Sequence, residues 1–130
     1  KQGKVHVAGS HLEDPASGEF NLPYLKHEFP HDDFAVVTFA RWEEGFVTRP
    51  PLSGEMTRIE DLTRKGVRFI NREPGSGSRA LLDRLREAAG IPPARIKGYD
   101  REANGHLTAA YAVYSNDADV CLATRAAAQA

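Results

Sequence analysis

Apolar residues alternate with polar ones in short runs over the first part of this chain and recur at helical spacing from residue 57 onward. Val5-His6-Val7-Ala8 predicts a short strand that stops at Gly9-Ser10, and a polar loop with Asp14-Pro15 and Ser17-Gly18 follows. Asn21 stands where it would cap a short helix carrying Leu22, Tyr24, Leu25 and Phe29, with Pro23 in the permissive first turn. Phe34-Ala35-Val36-Val37-Thr38-Phe39 gives the strongest strand signal, being rich in β-branched and aromatic residues. A further strand over 45–48 runs into the breaker Arg49-Pro50-Pro51. Thr57-Arg58-Ile59-Glu60 has capping-box spacing and predicts a helix through Leu62 that stops at Gly66.

A strand is predicted over 67–70, then a helix with Leu81, Leu82, Leu85 and Ala88 on one face, ending at Gly90 before Pro92-Pro93. Ile96-Lys97-Gly98-Tyr99 is a short strand candidate. Asn104 or Gly105 opens a helix with Leu107, Ala110, Tyr111 and Tyr114 at helical spacing. Residues 118–123 read as a buried strand, and Thr124 caps an alanine-rich end. Strands alternating with helices imply an α/β sheet with parallel crossovers.

The loop between the strand at 67–70 and its helix carries the most chemistry. Asn71-Arg72-Glu73-Pro74-Gly75-Ser76-Gly77-Ser78-Arg79 puts two glycines, two hydroxyls and an arginine at a helix N-terminus. Unpaired N–H groups and the positive end of the helix dipole favour an anion there, and glycine lets the backbone approach it. Ser76 and Ser78 can donate hydrogen bonds, and Arg79 supplies a planar charged fork. A plain helix cap by one serine is the competing reading. No lysine follows Gly77, which excludes the phosphate loop of nucleotide hydrolases. Gly75-x-Gly77-x-x-Ala80, with Asp100 beyond it, fits a loose dinucleotide fingerprint and remains the alternative.

Composition narrows the classes. The 130 residues suffice for one core, and a formal net charge of −1 offers no global attraction to nucleic acid. Cys121 is the single cysteine, so no internal disulfide framework exists; its apolar neighbours predict an inert thiol and its solitude agrees with a reducing, cytoplasmic setting. No apolar run reaches membrane-spanning length, and Lys1-Gln2-Gly3-Lys4 reads as a polar linker opening an excised segment. None of the five histidines forms a two-histidine zinc pair, and no nucleophile elbow surrounds a serine. Glu43 and Glu44 are adjacent and would face opposite sides of a strand, and Asp32-Asp33 reads as a charge pair in a turn. Metal binding and catalysis are therefore not expected. Ser10 and His11 follow the first predicted strand, where a ligand role competes with an ordinary surface loop. His106, beside Thr108, lies in the first turn of a helix, where a cleft position and a local capping role compete.

Three stretches together resemble a known family. They are residues 69–79, then Gly98-Tyr99-Asp100-Arg101-Glu102 with His106-Leu107, and Ala118-Asp119-Val120 with Arg125-Ala126-Ala127-Ala128. With Ala8-Gly9-Ser10-His11-Leu12, they are similar to the intracellular periplasmic-binding-protein-like domain related to molybdate- and tungstate-binding proteins. That domain is appended to helix-turn-helix regulators or to molybdopterin-biosynthesis enzymes. The chain departs from the pattern at Gly105, where a threonine is expected, and at Asn116, where a glycine is expected.

The resemblance implies a two-lobed, type II fold with the ligand between the lobes. Residues 1–54 would hold the end of the first lobe and the interlobe crossover, and residues 55–130 most of the second lobe, with the rest of the first lobe upstream. It implies a sensor or accessory domain that binds a small oxyanion (molybdate, tungstate, sulfate or phosphate) and uses no cofactor. Its ligand residues would be Gly75, Ser76, Gly77, Ser78 and Arg79, joined by Ser10, His11, His106, Thr108 and Thr124. The expected partners are the missing first-lobe residues and a second copy through the apolar first fifty residues, with no membrane or direct nucleic-acid contact. An oligomerisation module without ligand is the remaining alternative.

Overall fold

The computed structural model describes residues 5–14, 16–31 and 34–130. The polar linker at residues 1–4, Pro15 of the first loop and the charge pair at Asp32-Asp33 lie outside the described residues. The chain divides into two compact units, Lys1–Ala40 and Arg41–Ala130.

In the first unit, Glu13 and Phe20 form an isolated antiparallel bridge and α1 spans Leu22–Glu28. Asn21 stands at the cap position, but its side chain is used elsewhere: Oδ1 accepts from the Leu12 amide and Nδ2 donates to the Ser10 carbonyl. Residues 5–8 and 34–39 form no strand, contrary to expectation. Both are β-rich, yet a strand exists only where a partner supplies a ladder, and no ladder reaches them among the described residues. Phe39 is fully exposed and Val37 nearly so.

The second unit is a four-stranded sheet in the order β1-β4-β2-β3, where β1 is Glu44–Thr48, β2 Phe69–Arg72, β3 Glu102–Ala103 and β4 Val120–Thr124. Strand β2 pairs parallel with both β4 and β3, and β1 runs antiparallel to β4. The mixed α/β architecture matches the expectation. Every residue of β2 and β4 is buried, as a central strand covered on both faces requires.

Period-two alternation along these strands builds two cores. Phe69, Val120 and Leu122 face one side, with Leu62, Leu82, Ile96 and Tyr99. Ile70, Cys121 and Ala123 face the other, with Ala109, Ala112 and Val113 of α3 (His106–Tyr114) and Ala127 of α4 (Arg125–Ala128). On this second side α3 settles through Ala109, Ala112 and Val113. The expected apolar stripe of α3 therefore points outward, with Leu107, Tyr111 and Tyr114 exposed.

Local departures have local causes. The predicted helix after residue 57 is a 3-10 turn over Ile59–Thr63, closed at its start by Asp61, whose carboxylate accepts from the Thr57 and Arg58 amides. The next helix, α2, spans Gly77–Ala88, with Leu82 buried while Leu85 and Ala88 are exposed. Residues 96–99 form a turn instead of a strand; Ile96 and Tyr99 enter the core, and the short strand comes later, as β3.

At the edge where β2 and β4 begin, the buried Asp119 carboxylate accepts from the Arg68 amide, from Arg68 Nε and Nη2, and from Arg49 Nη2 at 2.7 Å. The Arg68 guanidinium beside Asp119 holds its carboxyl far below the usual range. This clamp joins the end of β1 to the starts of β2 and β4. Among the described residues, no helix is long and apolar enough to cross a membrane.

Gly98 supports the fit between the turn and β2. Its φ is +96°, and a Cβ there would lie 2.0 Å from the Phe69 carbonyl oxygen. Gly98→Ala is expected to cost on the order of 2–4 kcal/mol, from overpacking and left-handed strain together. Urea unfolding of the variant measures this, and an unchanged midpoint would contradict the close approach.

Candidate functional site

Strands β2, β3 and β4 run parallel, so Arg72, Ala103 and Thr124 end at one edge of the sheet. Beyond that edge the chain enters α2, α3 and α4 in turn. Open α/β sheets bind ligands at this carboxyl edge, because the helix N-termini that follow the strands present unpaired amides there.

The α2 end is built by Glu73-Pro74-Gly75-Ser76. Gly75 takes φ +84°, open to glycine and strained for other residues. Ser76 is the cap: its Oγ accepts from the Arg79 amide at 3.2 Å. The amides of Gly77 and Ser78 have no hydrogen-bond partner among the described residues. Ser78 is buried, with its Oγ 3.5 Å from Arg72 Nη1.

Arg79 sits otherwise than an anion fork would. Its Nη1 donates to the Arg72 carbonyl, its Nε to Asp83, and its guanidinium carbon lies 4.3 Å above the Tyr99 ring. These contacts tie α2 to β2 and to the turn at residue 99, making the side chain a strut. Asp100, proposed for a ribose, is exposed in the turn that precedes β3. It lies toward the starting edge of the parallel strands, away from Gly75, which removes the geometry a dinucleotide needs.

His106, Thr108 and Thr124 gather around an open concavity of about 580 Å³ between the starts of α3 and α4, walled otherwise by Leu107, Ala126 and Ala127 among others. Thr124 Oγ1 caps α4 by accepting from the Ala127 amide. The Thr124 amide donates to His106 Nδ1 at 3.3 Å, and His106 Nε2 lies 3.8 Å from Glu44 Oε1. Ser10 and His11 are exposed in the first unit, where the Ser10 carbonyl accepts from Asn21.

Three residues of this edge escaped the sequence reading. Arg72 is buried and forms a two-point pair with Glu73 at 2.8 Å. Glu73 Oε2 also accepts from the Gly105 amide, linking the ends of β2 and α3. Glu44 Oε2 is buried with no partner. The usable signal was position, because all three flank strand ends. Burial pushes the Cys121 thiol up to about 12, so it is inert at neutral pH. Among the described residues, no three His, Cys, Asp or Glu side chains converge to hold a metal.

The Arg72 guanidinium beside Glu73 holds its carboxyl at about 2, against an ordinary 4.5. A depressed acid stabilises the fold above its ordinary value and loses that contribution as pH falls through the folded value. Unfolding midpoints should therefore drop between about pH 4.5 and 2. Glu73→Gln should flatten that limb, and an equally steep limb in the variant would contradict the pairing.

Comparison with known proteins agrees with this architecture. The profile described as "PBP superfamily domain" matches residues 1–130. The chain is 33% identical over 127 residues to "Uncharacterized protein YvgK" of Bacillus subtilis (strain 168), covering 98% of this chain and 41% of that relative. No solved structure matches. With a mixed α/β sheet and a match along its whole length, the chain belongs to the PBP superfamily domain family, a periplasmic-binding-protein-like group whose fold is suited to ligand binding.

Proposed function

We propose that this chain is the ligand-binding part of a larger sensor or accessory protein and that it holds a small oxyanion at the carboxyl edge of β2 and β4. Molybdate and tungstate are the first anions to try, on the resemblance of residues 69–79. The observation that carries the reading is the pair of unpartnered amides, Gly77 and Ser78, at the start of a twelve-residue helix. Helix-terminal amides bind a rigid anion without a general acid or base, so the role is recognition rather than catalysis. The Arg79 strut supports the loop and is not counted among the donors. Glu73 would oppose an anion if unpaired, but Arg72 neutralises it.

Gly77 is the first helical residue, where proline fits the backbone and only the N–H is lost. Ser76 already has the extended conformation that a following proline requires. Gly77→Pro should therefore leave thermal stability nearly unchanged while weakening molybdate or tungstate binding by about ten- to a hundredfold, the worth of one charge-assisted hydrogen bond. Isothermal titration of both proteins measures this. Equal affinity in the variant would put the anion elsewhere, and absence of binding by the unmodified chain to molybdate, tungstate, sulfate and phosphate alike would overturn the reading.

A further inference from the structure

The contact between α3 and β4 at this edge depends on the protonation of one side chain. Because the Thr124 N–H donates to His106 Nδ1, that nitrogen must carry a lone pair. The ring is then neutral, with its proton on Nε2, on the side of Glu44 Oε1. An imidazolium has hydrogens on both nitrogens, so Nδ1–H and the Thr124 N–H would confront each other as two donors. Protonation and this hydrogen bond exclude one another.

We propose that His106 is a proton-operated latch on the Thr124 amide, through which the site takes up a proton together with an anion. The coupling rests on the oxyanion reading above; the latch does not. Protonation frees the amide where β4 meets α4 and adds a positive charge beside the concavity, and both attract an anion. By reciprocity, a bound anion draws the proton onto His106.

Glu44 of β1 has Oε1 at 3.8 Å from His106 Nε2, and its second oxygen, buried and unpartnered, can receive Nε2–H if the ring shifts. At the end of β2, Arg72 and Glu73 form their own pair, and Glu73 accepts from the Gly105 amide just before His106. In β4, Cys121 stays a neutral thiol. In α4, Arg125 is exposed and paired with Glu43.

Two measurements on the whole chain test this. Without added anion, amide spectra recorded from about pH 8 to 5.5, the histidine range, should show the Thr124 amide moving with the same midpoint as the His106 ring protons. In His106→Asn and His106→Gln, whose side-chain oxygen accepts at every pH, the Thr124 amide should stay in place. A Thr124 amide that ignores the His106 titration overturns the latch. The second measurement is affinity for sodium molybdate and sodium sulfate over the same range. It should tighten as pH falls, by up to about tenfold per unit for one linked proton, and be flat in both variants. A flat profile in the unmodified chain, or a slope that persists in the variants, overturns the coupling. Failure of the oxyanion reading looks different: Thr124 follows His106 while neither anion binds at any pH, which keeps the latch and overturns the coupling.

Discussion

Parallel pairing of β2 with β4 at the centre of the sheet is the constraint from which the rest of the second unit follows. Both strands are buried along their whole length, so their backbone groups must be satisfied by neighbouring strands. Parallel order leaves both strands beginning at one edge and ending at the other. At the starting edge, Asp119 accepts from the Arg68 amide and guanidinium and from Arg49, holding three strands in register with one carboxylate. The two guanidinium groups are about a third exposed, so solvent discounts the pair. Losing the carboxylate would still leave the Arg68 amide and both guanidinium groups without their shared acceptor.

The ending edge has the opposite character. An exposed pair, Arg125 with Glu43, joins the end of β4 to the start of β1 there, and turns, caps and helix starts occupy the rest. Ser76 and Thr124 satisfy one amide each in their own helices, which leaves the amides of Gly77 and Ser78 without a partner among the described residues. The charges at this edge are paired locally, Arg72 with Glu73 and Arg79 with Asp83, so what remains on offer is mainly backbone dipole and hydroxyl. Such a surface suits a ligand recognised by preplaced donors. The concavity around His106 lies at the same edge, between the starts of α3 and α4.

The parts of this arrangement legible in the sequence are those that local chemistry dictates. Residues 118–123 read as a buried strand before a capping Thr124, and the strand found is Val120–Thr124, with Thr124 as the cap. Gly75-Ser76-Gly77 marked a turn and a cap, and both are present. The strand before it was read two residues early, because Asn71 and Arg72 look like loop residues. They are buried because Asn71 reaches the Tyr99 carbonyl and Arg72 pairs with Glu73. Contacts distant in sequence were not legible. Arg79 was taken for a ligand residue since its partners Asp83, Tyr99 and the Arg72 carbonyl meet it only in the fold. Tyr111 and Tyr114 were expected inward, but α3 packs on the sheet through Ala109, Ala112 and Val113, which leaves both tyrosines outside. Residues 34–39 have strand chemistry without a ladder, and a strand is a property of a pair.

The central claim is that the ligand lies where β2 and β4 end. Diffraction from crystals of the chain soaked in tungstate tests it most directly, because the anomalous signal of tungsten locates the anion independently of the protein map. The account predicts a peak whose oxygens lie within hydrogen-bond reach, about 2.7–3.2 Å, of the Gly77 and Ser78 amides. A peak on the Arg49–Arg68 side of the sheet, with that helix start vacant, would contradict it.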